Sequence, residues 1–170
     1  MNVLFLDIDG VLNSEEYYRS LTDKNLRDIP IDRTCLARVK HIVDETEAAI
    51  VLTSSWRDSW DKDPEMLRRE GRTLNGLFKE YGLAIYDKTP VAHEGRRPVE
   101  IRQWLDNCNE KIGRFVILDD YDFNWKRHRM FRHWVRTDYE KGGLSDDQAE
   151  KAILLFRKSS FYFFMERFEK

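Results

Sequence analysis

The sequence predicts an α/β fold in which helices cover both faces of a doubly wound parallel sheet, giving three layers. Three short apolar runs, at residues 3–6, 48–52 and 115–118, are typical of strands that are buried on both sides. Segments with the 3.6-residue period of amphipathic helices separate these runs. This alternation favours parallel strands that are joined by crossover helices.

The elements of the first half follow from local signals. Asp32 is suited to cap a helix that runs to about residue 45, and the strand at 48–52 comes next. Residues 56–82 are predicted to be mostly helical, with breaks near Pro64 and Gly71.

The second half has four further elements. Residues 83–86 are predicted to form a short strand, and Pro98 suits the first turn of a helix. After the strand at 115–118, residues 134–136 are expected to form a short fifth strand. Ser145 and Gln148 then form a capping box for another helix. We expect the whole chain, 1–170, to form a single domain.

Pairs of acidic residues follow two of the predicted strands. Asp7 and Asp9 end the first strand, where Gly10 permits a sharp turn, and Asp119 and Asp120 end the strand that begins more than 100 positions later. The carboxyl ends of parallel strands are where open α/β sheets bind their ligands. Clustered carboxylates repel one another unless a cation is present, and Mg²⁺ prefers oxygen ligands. The sequence therefore predicts a magnesium site at this edge, whereas an acidic turn without metal is the simpler alternative.

The strand-end motifs together resemble those of the haloacid dehalogenase (HAD) superfamily. The matching motifs occur in the expected order between Val3 and about Leu144: Asp-x-Asp-Gly-Val at 7–11, Thr-Ser at 53–54 and Asp-Asp at 119–120. The resemblance implies a HAD-like, Rossmann-like fold.

Finer details resemble one branch, the HAD domains associated with multi-domain Swiss Army knife RNA-repair proteins. These details are Asp-Gly-Val-Leu-Asn at 9–13, Ser-Ser-Trp-Arg at 54–57, Arg-x-x-Glu-Ile-x-x-Trp-Leu at 97–105, Ile-Leu-Asp-Asp at 117–120 and Gly-Leu-Ser at 143–145.

The resemblance implies a role for each acidic residue. Asp7 would be the nucleophile that forms an aspartyl-phosphate, and Asp9 would protonate the leaving oxygen and then activate water. Mg²⁺ would be held by the Asp7 side chain, the Asp9 backbone carbonyl and the Asp119 carboxylate. Asp120 is expected to bind the metal through water or to orient Asp119.

Hydroxyl and guanidinium groups are the expected phosphate ligands. Ser54 is the favoured phosphate donor, with Thr53 as the alternative, although a hydroxyl at a strand end is often only an N-cap. Arg97, with Arg96 beside it, matches the position that restrains the nucleophile and binds phosphate. Arg57 is a further candidate for binding substrate phosphate. The alternative for each arginine is that it is only a solvated residue at the protein surface.

The chain has no insertion large enough to form a separate cap domain. Residues 14–31 and 57–71 are the candidate lids, and both are short. A minimal cap or none would leave the site open to a large substrate, such as a nucleic-acid end or a protein side chain.

Two aromatic segments lie outside the motifs. Residues 124–136 combine five Lys and Arg residues with Trp125, Phe131 and Trp134 and contain no acid. They are suited either to track a phosphate backbone and stack bases or to form a helix with its aromatics inward. The tail at 161–168 is expected to pack as a terminal helix on the sheet or to form a homodimer contact.

Composition sets outer limits on function. Lys and Arg total 29 against 31 Asp and Glu, a formal charge of −2, so no global positive field attracts nucleic acid. Cys35 and Cys108 are expected to be reduced packing residues. No signal peptide and no membrane-spanning stretch is recognisable, so we expect a soluble cytoplasmic protein that is a monomer or a homodimer.

The expected function is a Mg²⁺-dependent phosphomonoesterase that acts on phosphorylated RNA or DNA ends or on nucleotides. A small-molecule phosphatase acting on nucleotides or sugar phosphates is one alternative, and phosphotransfer between two substrates uses the same residues. A non-catalytic module that binds a phosphorylated ligand or a protein is the alternative from another class. The presence of Asp9 argues against this alternative, because binding alone does not require an acid–base residue.

Overall fold

A computed structural model describes residues 1–21, 30–92 and 96–157. Its core is a five-stranded sheet with the order β3-β2-β1-β4-β5, and every neighbouring pair of strands is parallel. The strands are β1 Asn2–Leu6, β2 Ala49–Leu52, β3 Ile85–Lys88, β4 Arg114–Asp119 and β5 Trp134–Arg136.

Five α-helices connect or follow these strands in the described ranges. They are α1 Glu15–Ser20, α2 Arg33–Thr46, α3 Arg69–Glu80, α4 Arg97–Asn107 and α5 Asp146–Arg157. Short 3₁₀ segments occur at Ser55–Ser59, Pro64–Met66 and Phe131–His133. No helix in these ranges is both long and apolar enough to cross a membrane.

The central strand β1 is buried on both faces. Leu4 and Leu6 belong to a core cluster that includes buried side chains of α2, α3 and α5. Val3 and Phe5 belong to a second cluster with side chains of α4 and of the segment after β4. The predicted α/β sheet with covered faces is therefore confirmed.

The predicted helix caps are also present. Asp32 accepts a hydrogen bond from the Thr34 backbone N–H at 2.8 Å at the start of α2. At the start of α5, the Ser145 N–H donates to Gln148 Oε1 at 2.7 Å and the Gln148 N–H donates to Ser145 Oγ at 3.3 Å. Pro98 lies in the first turn of α4.

Two predicted boundaries are wrong. Gly71 does not break a helix but lies inside α3, where a Cβ atom would come within 1.9 Å of the Ser59 carbonyl oxygen. The third strand begins at Ile85 because residues 82 and 83 end the preceding helix. Gly82 has a φ of 65°, and the Leu83 N–H donates to the Phe78 carbonyl at 2.9 Å, which closes α3 with a Schellman motif.

Residues 124–136 do not form a helix. They form turns, the 3₁₀ segment Phe131–His133 and β5. Trp125 and Trp134 are buried, whereas Phe131 is exposed. The tail at 161–168 lies outside the described residues, as do residues 22–29 of the first candidate lid.

The strand order defines where a ligand can bind. The chain moves outward from β1 through β2 to β3 and then returns to the other side of β1 as β4. Crossover connections diverge at such a switch point and leave a crevice at the carboxyl ends of the two strands. The acidic pairs predicted to hold a metal follow these two strands, β1 and β4.

Candidate active site

The acidic residues after β1 and β4 meet in this crevice. Leu6 pairs with Leu118 in the sheet, and the Asp7 N–H extends the pairing by donating to the Leu118 carbonyl at 3.1 Å. One carboxylate oxygen from each of Asp7, Asp119 and Asp120 lies within 4.8 Å of the others. The structure therefore brings together the three carboxylates that the sequence assigned to the metal.

The Asp9 side chain points to other partners. Asp9 is expected to bind the metal through its backbone carbonyl and not through its side chain. Both oxygens of the Asp9 carboxylate accept hydrogen bonds from other side chains. Asn13 Nδ2 donates to Asp9 Oδ1 at 2.8 Å, and Trp56 Nε1 donates to Asp9 Oδ2 at 3.0 Å.

Arg97 provides positive charge to the acidic cluster. From the first turn of α4, its Nη1 lies 2.8 Å from Asp7 Oδ2 and 2.8 Å from Asp119 Oδ2. The guanidinium also lies over the Phe123 ring, 5.1 Å from its centroid. Arg96, the other candidate, is the exposed N-cap residue of α4. The structure thus places Arg97 where the sequence expected a cation that restrains the nucleophile.

Burial controls the electrostatics of the cluster. It raises the pKa of Asp7, against the opposing effects of Arg97 and of hydrogen bonds from Ile8 and Ser54. Burial and the charge of Asp7 raise the pKa of Asp119 to about 8. Burial also raises the pKa of Asp120, and the charge of Asp7 adds to this effect. Ionisation of all three carboxyl groups would therefore place more negative charge here than Arg97 alone can balance.

The donor set fits Mg²⁺. All three side chains offer hard oxygen atoms, and a divalent cation would favour the ionised forms that burial, together with repulsion from Asp7 at Asp119, disfavours. Asp7 and Asp119 would hold the ion directly, together with the Asp9 carbonyl, and Asp120 would hold it directly or through water.

Of the two hydroxyl candidates after β2, Ser54 contacts the nucleophile. Its hydroxyl is a hydrogen-bond partner of the Asp7 carboxylate, and it also accepts from the Trp56 N–H at 3.3 Å. Thr53 is equally buried, but its Oγ1 has no hydrogen-bond partner among the described residues. Ser54 therefore combines a place beside Asp7 with the capping role that is common for a hydroxyl at a strand end.

Arg57 has other partners than the expected substrate phosphate. Its Nη1 and Nη2 bond to the two carboxylate oxygens of Glu100 at 2.8 and 2.9 Å, and Nη1 also contacts Thr89 Oγ1 at 3.2 Å. Arg57 and Glu100 are 7% and 1% exposed. The pair connects the turn after β2 to α4, and Glu100 lies one helical turn from Arg97. This geometry gives Arg57 a structural position behind the site.

The sequence patterns alone assign no role to three residues that contribute to this architecture: Asn13, Trp56 and Glu100. Each lies inside one of the motifs that resemble the family, namely 9–13, 54–57 and 97–105. The motifs therefore contained the signal. Only the folded geometry shows which side chains the three residues contact.

The edge of the crevice beyond Asp120 is aromatic and basic. Tyr121 is 63% exposed, and its ring packs edge-to-face on Phe123 with centroids 4.9 Å apart. Arg136 Nε donates to the Asp120 carbonyl at 3.2 Å and so joins the basic segment to the acidic strand end. Five cationic side chains of this segment are exposed: Lys126, Arg127, Arg129, Arg132 and Arg136.

Comparison with known families agrees with this geometry. The family model described as the HAD domain in Swiss Army Knife RNA repair proteins matches residues 3–149, which include every residue of the site. Comparison with curated proteins and with solved structures finds no match for this chain. The match covers well over half of the sequence and spans all five strands. The chain therefore belongs to the family of HAD domains found in Swiss Army Knife RNA repair proteins.

Proposed function

We propose that this domain is a Mg²⁺-dependent phosphomonoesterase that acts through an aspartyl-phosphate on Asp7. The observation that carries the proposal is the meeting of Asp7, Asp119 and Asp120 beside one arginine at the switch point of the sheet. Phosphoryl transfer requires positioning and charge neutralisation more than other chemistry, and this cluster can supply both.

Each residue has a defined part in the reaction. An Asp7 oxygen attacks phosphorus, and the bond from phosphorus to the leaving oxygen breaks. Asp9 gives its proton to that oxygen and later accepts a proton from the water that hydrolyses the phosphorylated Asp7. Ser54 and Arg97 are placed to bind the phosphoryl oxygens, and Arg97 also orients Asp7. Bound Mg²⁺ would neutralise charge on the phosphoryl group.

The proposed substrates are phosphorylated ends of RNA or DNA. The exposed Tyr121 ring and Arg136 lie beside the strand end that carries Asp119 and Asp120, where a polynucleotide chain could extend from the crevice. Four further exposed cations belong to the same segment: Lys126, Arg127, Arg129 and Arg132. Within the described residues, the only helix between β1 and α2 is the six-residue α1. The occurrence of this domain family in RNA repair proteins supports the same substrate class.

The free thiols Cys35 and Cys108 fit a reducing compartment, so a cytoplasmic location belongs to this proposal.

The first test is phosphate release from p-nitrophenyl phosphate by wild type, Asp7→Asn and Asp9→Asn, with and without Mg²⁺. We expect Mg²⁺-dependent release by wild type that is abolished in Asp7→Asn. Folded wild-type protein that binds phosphate but releases none from any substrate would instead indicate a binding module.

The second test compares oligonucleotides phosphorylated at the 5′ or 3′ end with free nucleotides. A preference for oligonucleotides that weakens as salt rises supports a nucleic-acid substrate, because phosphate contacts release counterions. Equal turnover of both classes, with little salt dependence, would indicate a small-molecule phosphatase.

A further inference from the structure

Asp9 is held at both of its carboxylate oxygens by side chains from two different loops. Asn13 Nδ2 contacts Oδ1 at 2.8 Å from the turn after β1, and Trp56 Nε1 contacts Oδ2 at 3.0 Å from the 3₁₀ segment after β2. Donors at both oxygens fix the position of the carboxyl group and the plane in which it lies. Asp7 and Asp119, by contrast, also pair with the charged Arg97.

Asn13 is itself rigidly oriented. It is fully buried, and its Oδ1 accepts from the Gly10 N–H at 3.0 Å. The amide nitrogen is therefore directed toward Asp9, and it also contacts the Tyr18 hydroxyl at 3.3 Å. The Asn13 side chain therefore bonds to two neighbouring residues of the turn, to the Gly10 backbone and to the Asp9 carboxylate.

Trp56 is fixed by the turn that contains Ser54. Its backbone N–H donates to Ser54 Oγ at 3.3 Å, and its ring packs partly buried against the main core cluster. The indole has one polar hydrogen, and it is used on Asp9. One short turn therefore places a hydroxyl beside Asp7 and an indole N–H on Asp9.

We infer that Asn13 and Trp56 are positioning residues that aim the Asp9 carboxyl group at the leaving oxygen. This inference rests on the proposed function. The step that depends on the aim is the first one: Asp7 forms a bond to phosphorus, the bond to the leaving oxygen breaks, and the Asp9 proton moves to that oxygen. Asp9 is left as a carboxylate, and the product leaves as an alcohol or a phenol.

The requirement for this proton depends on the leaving group. A p-nitrophenolate ion is stable in water and departs with little help, whereas phenolate and alkoxide ions are more basic and need protonation as they leave. A misplaced acid therefore penalises basic leaving groups selectively. A distorted phosphate site penalises all substrates alike.

The experiment measures kcat/KM for p-nitrophenyl phosphate and phenyl phosphate, which differ only in the nitro group, in wild type, Trp56→Phe, Asn13→Ala and Asp9→Asn. The ratio kcat/KM reports events up to the first irreversible step, which is formation of the phosphorylated Asp7. For Trp56→Phe we expect the loss on phenyl phosphate to exceed that on p-nitrophenyl phosphate by about tenfold, because Asp9 is still present and only part of an acid–base effect of about 10²–10⁴-fold is lost. Asp9→Asn should show the same selectivity with a larger loss.

Trp60→Phe is the matched control. Its indole N–H donates to Asn75 Oδ1 at 3.2 Å in the same region, without contact to Asp9, so we expect no selectivity between the two substrates. Equal losses on both substrates in Trp56→Phe, or no loss on either, would overturn the inference. If Asn13→Ala does not fold, Trp56→Phe still decides the result. Failure of the proposed function would look different, because Asp7→Asn would then retain phosphate release.

Discussion

Gly10 leaves the space that the Asp120 carboxyl group occupies. A Cβ atom at residue 10 would lie 2.4 Å from Asp120 Cγ. Gly10 also has a φ of 76°, a backbone conformation that residues other than glycine rarely adopt. The glycine of the first acidic motif therefore does more than turn the chain. It allows the second acidic motif to approach Asp7.

Replacement of this glycine should damage the metal site. We expect Gly10→Ala to displace Asp120 and to raise the Mg²⁺ concentration that gives half-maximal phosphate release. Gly76→Ala is the control, because residue 76 lies on an open face of α3 with no atom near its Cβ position. That change should stabilise the fold by about 0.5–1 kcal/mol and leave the Mg²⁺ requirement unchanged. An unaltered Mg²⁺ requirement in Gly10→Ala would contradict the proposed contact.

The ion pair between Arg57 and Glu100 makes a prediction about stability. Arg57→Met leaves Glu100 buried without its partner, which should lower the free energy of unfolding by about 3–5 kcal/mol. The double variant Arg57→Met with Glu100→Met removes both charges and should recover most of that loss in urea unfolding. If Arg57 instead binds substrate phosphate, the single variant would keep its stability and raise KM, and the double variant would not restore KM.

The raised pKa of Asp119 predicts how stability depends on pH without metal. The folded protein retains this proton up to a pKa of about 8, whereas the unfolded chain releases it near 3.8. Since the folded state binds more protons between these values, the stability contributed by this group falls as pH rises through that window. Mg²⁺ competes with the proton, so its stabilising effect should grow over the same window.

Thermal unfolding with and without Mg²⁺ tests this linkage. We expect the rise in Tm caused by Mg²⁺ to be larger at about pH 8 than at about pH 5. Asp119→Asn should reduce the pH dependence of that rise. An equal rise in Tm at both pH values would contradict competition between Mg²⁺ and the Asp119 proton.

Tyr121 should contribute to binding of a polynucleotide but not to the chemical step. We expect Tyr121→Ala to lower kcat/KM for a phosphorylated oligonucleotide by about tenfold, because one stacked base is lost. Turnover of p-nitrophenyl phosphate should be unchanged, since the backbone N–H that bonds Asp119 remains. Tyr86→Ala, which removes an exposed tyrosine from β3, is the control. Equal effects of the two substitutions would argue against a base-stacking role.

The sequence predicts the parts of this fold that depend on local patterns. Apolar runs identify strands 3–6 and 115–118, and their acidic ends meet because neighbouring parallel strands end at one edge. Capping residues predict the start of α2 and α5 for the same local reason.

Contacts between distant segments could not be predicted in this way. The partner of Arg57 lies 43 positions away on α4, and the Trp56 donor lies 47 positions from Asp9. Gly71 shows the same limit, because its small size serves a close approach to Ser59 rather than a break in the helix. Such pairings are set by how the layers pack, and no periodicity encodes them.

The most direct test of the central claim is detection of phosphate bound to Asp7. Wild-type protein would be mixed with substrate and Mg²⁺, quenched in acid within one turnover, and analysed by peptide mass spectrometry. We predict a phosphorylated peptide that contains Asp7 in wild type and none in Asp7→Asn. Phosphate release by wild type without any phosphorylated Asp7, or sustained release by Asp7→Asn, would contradict the account.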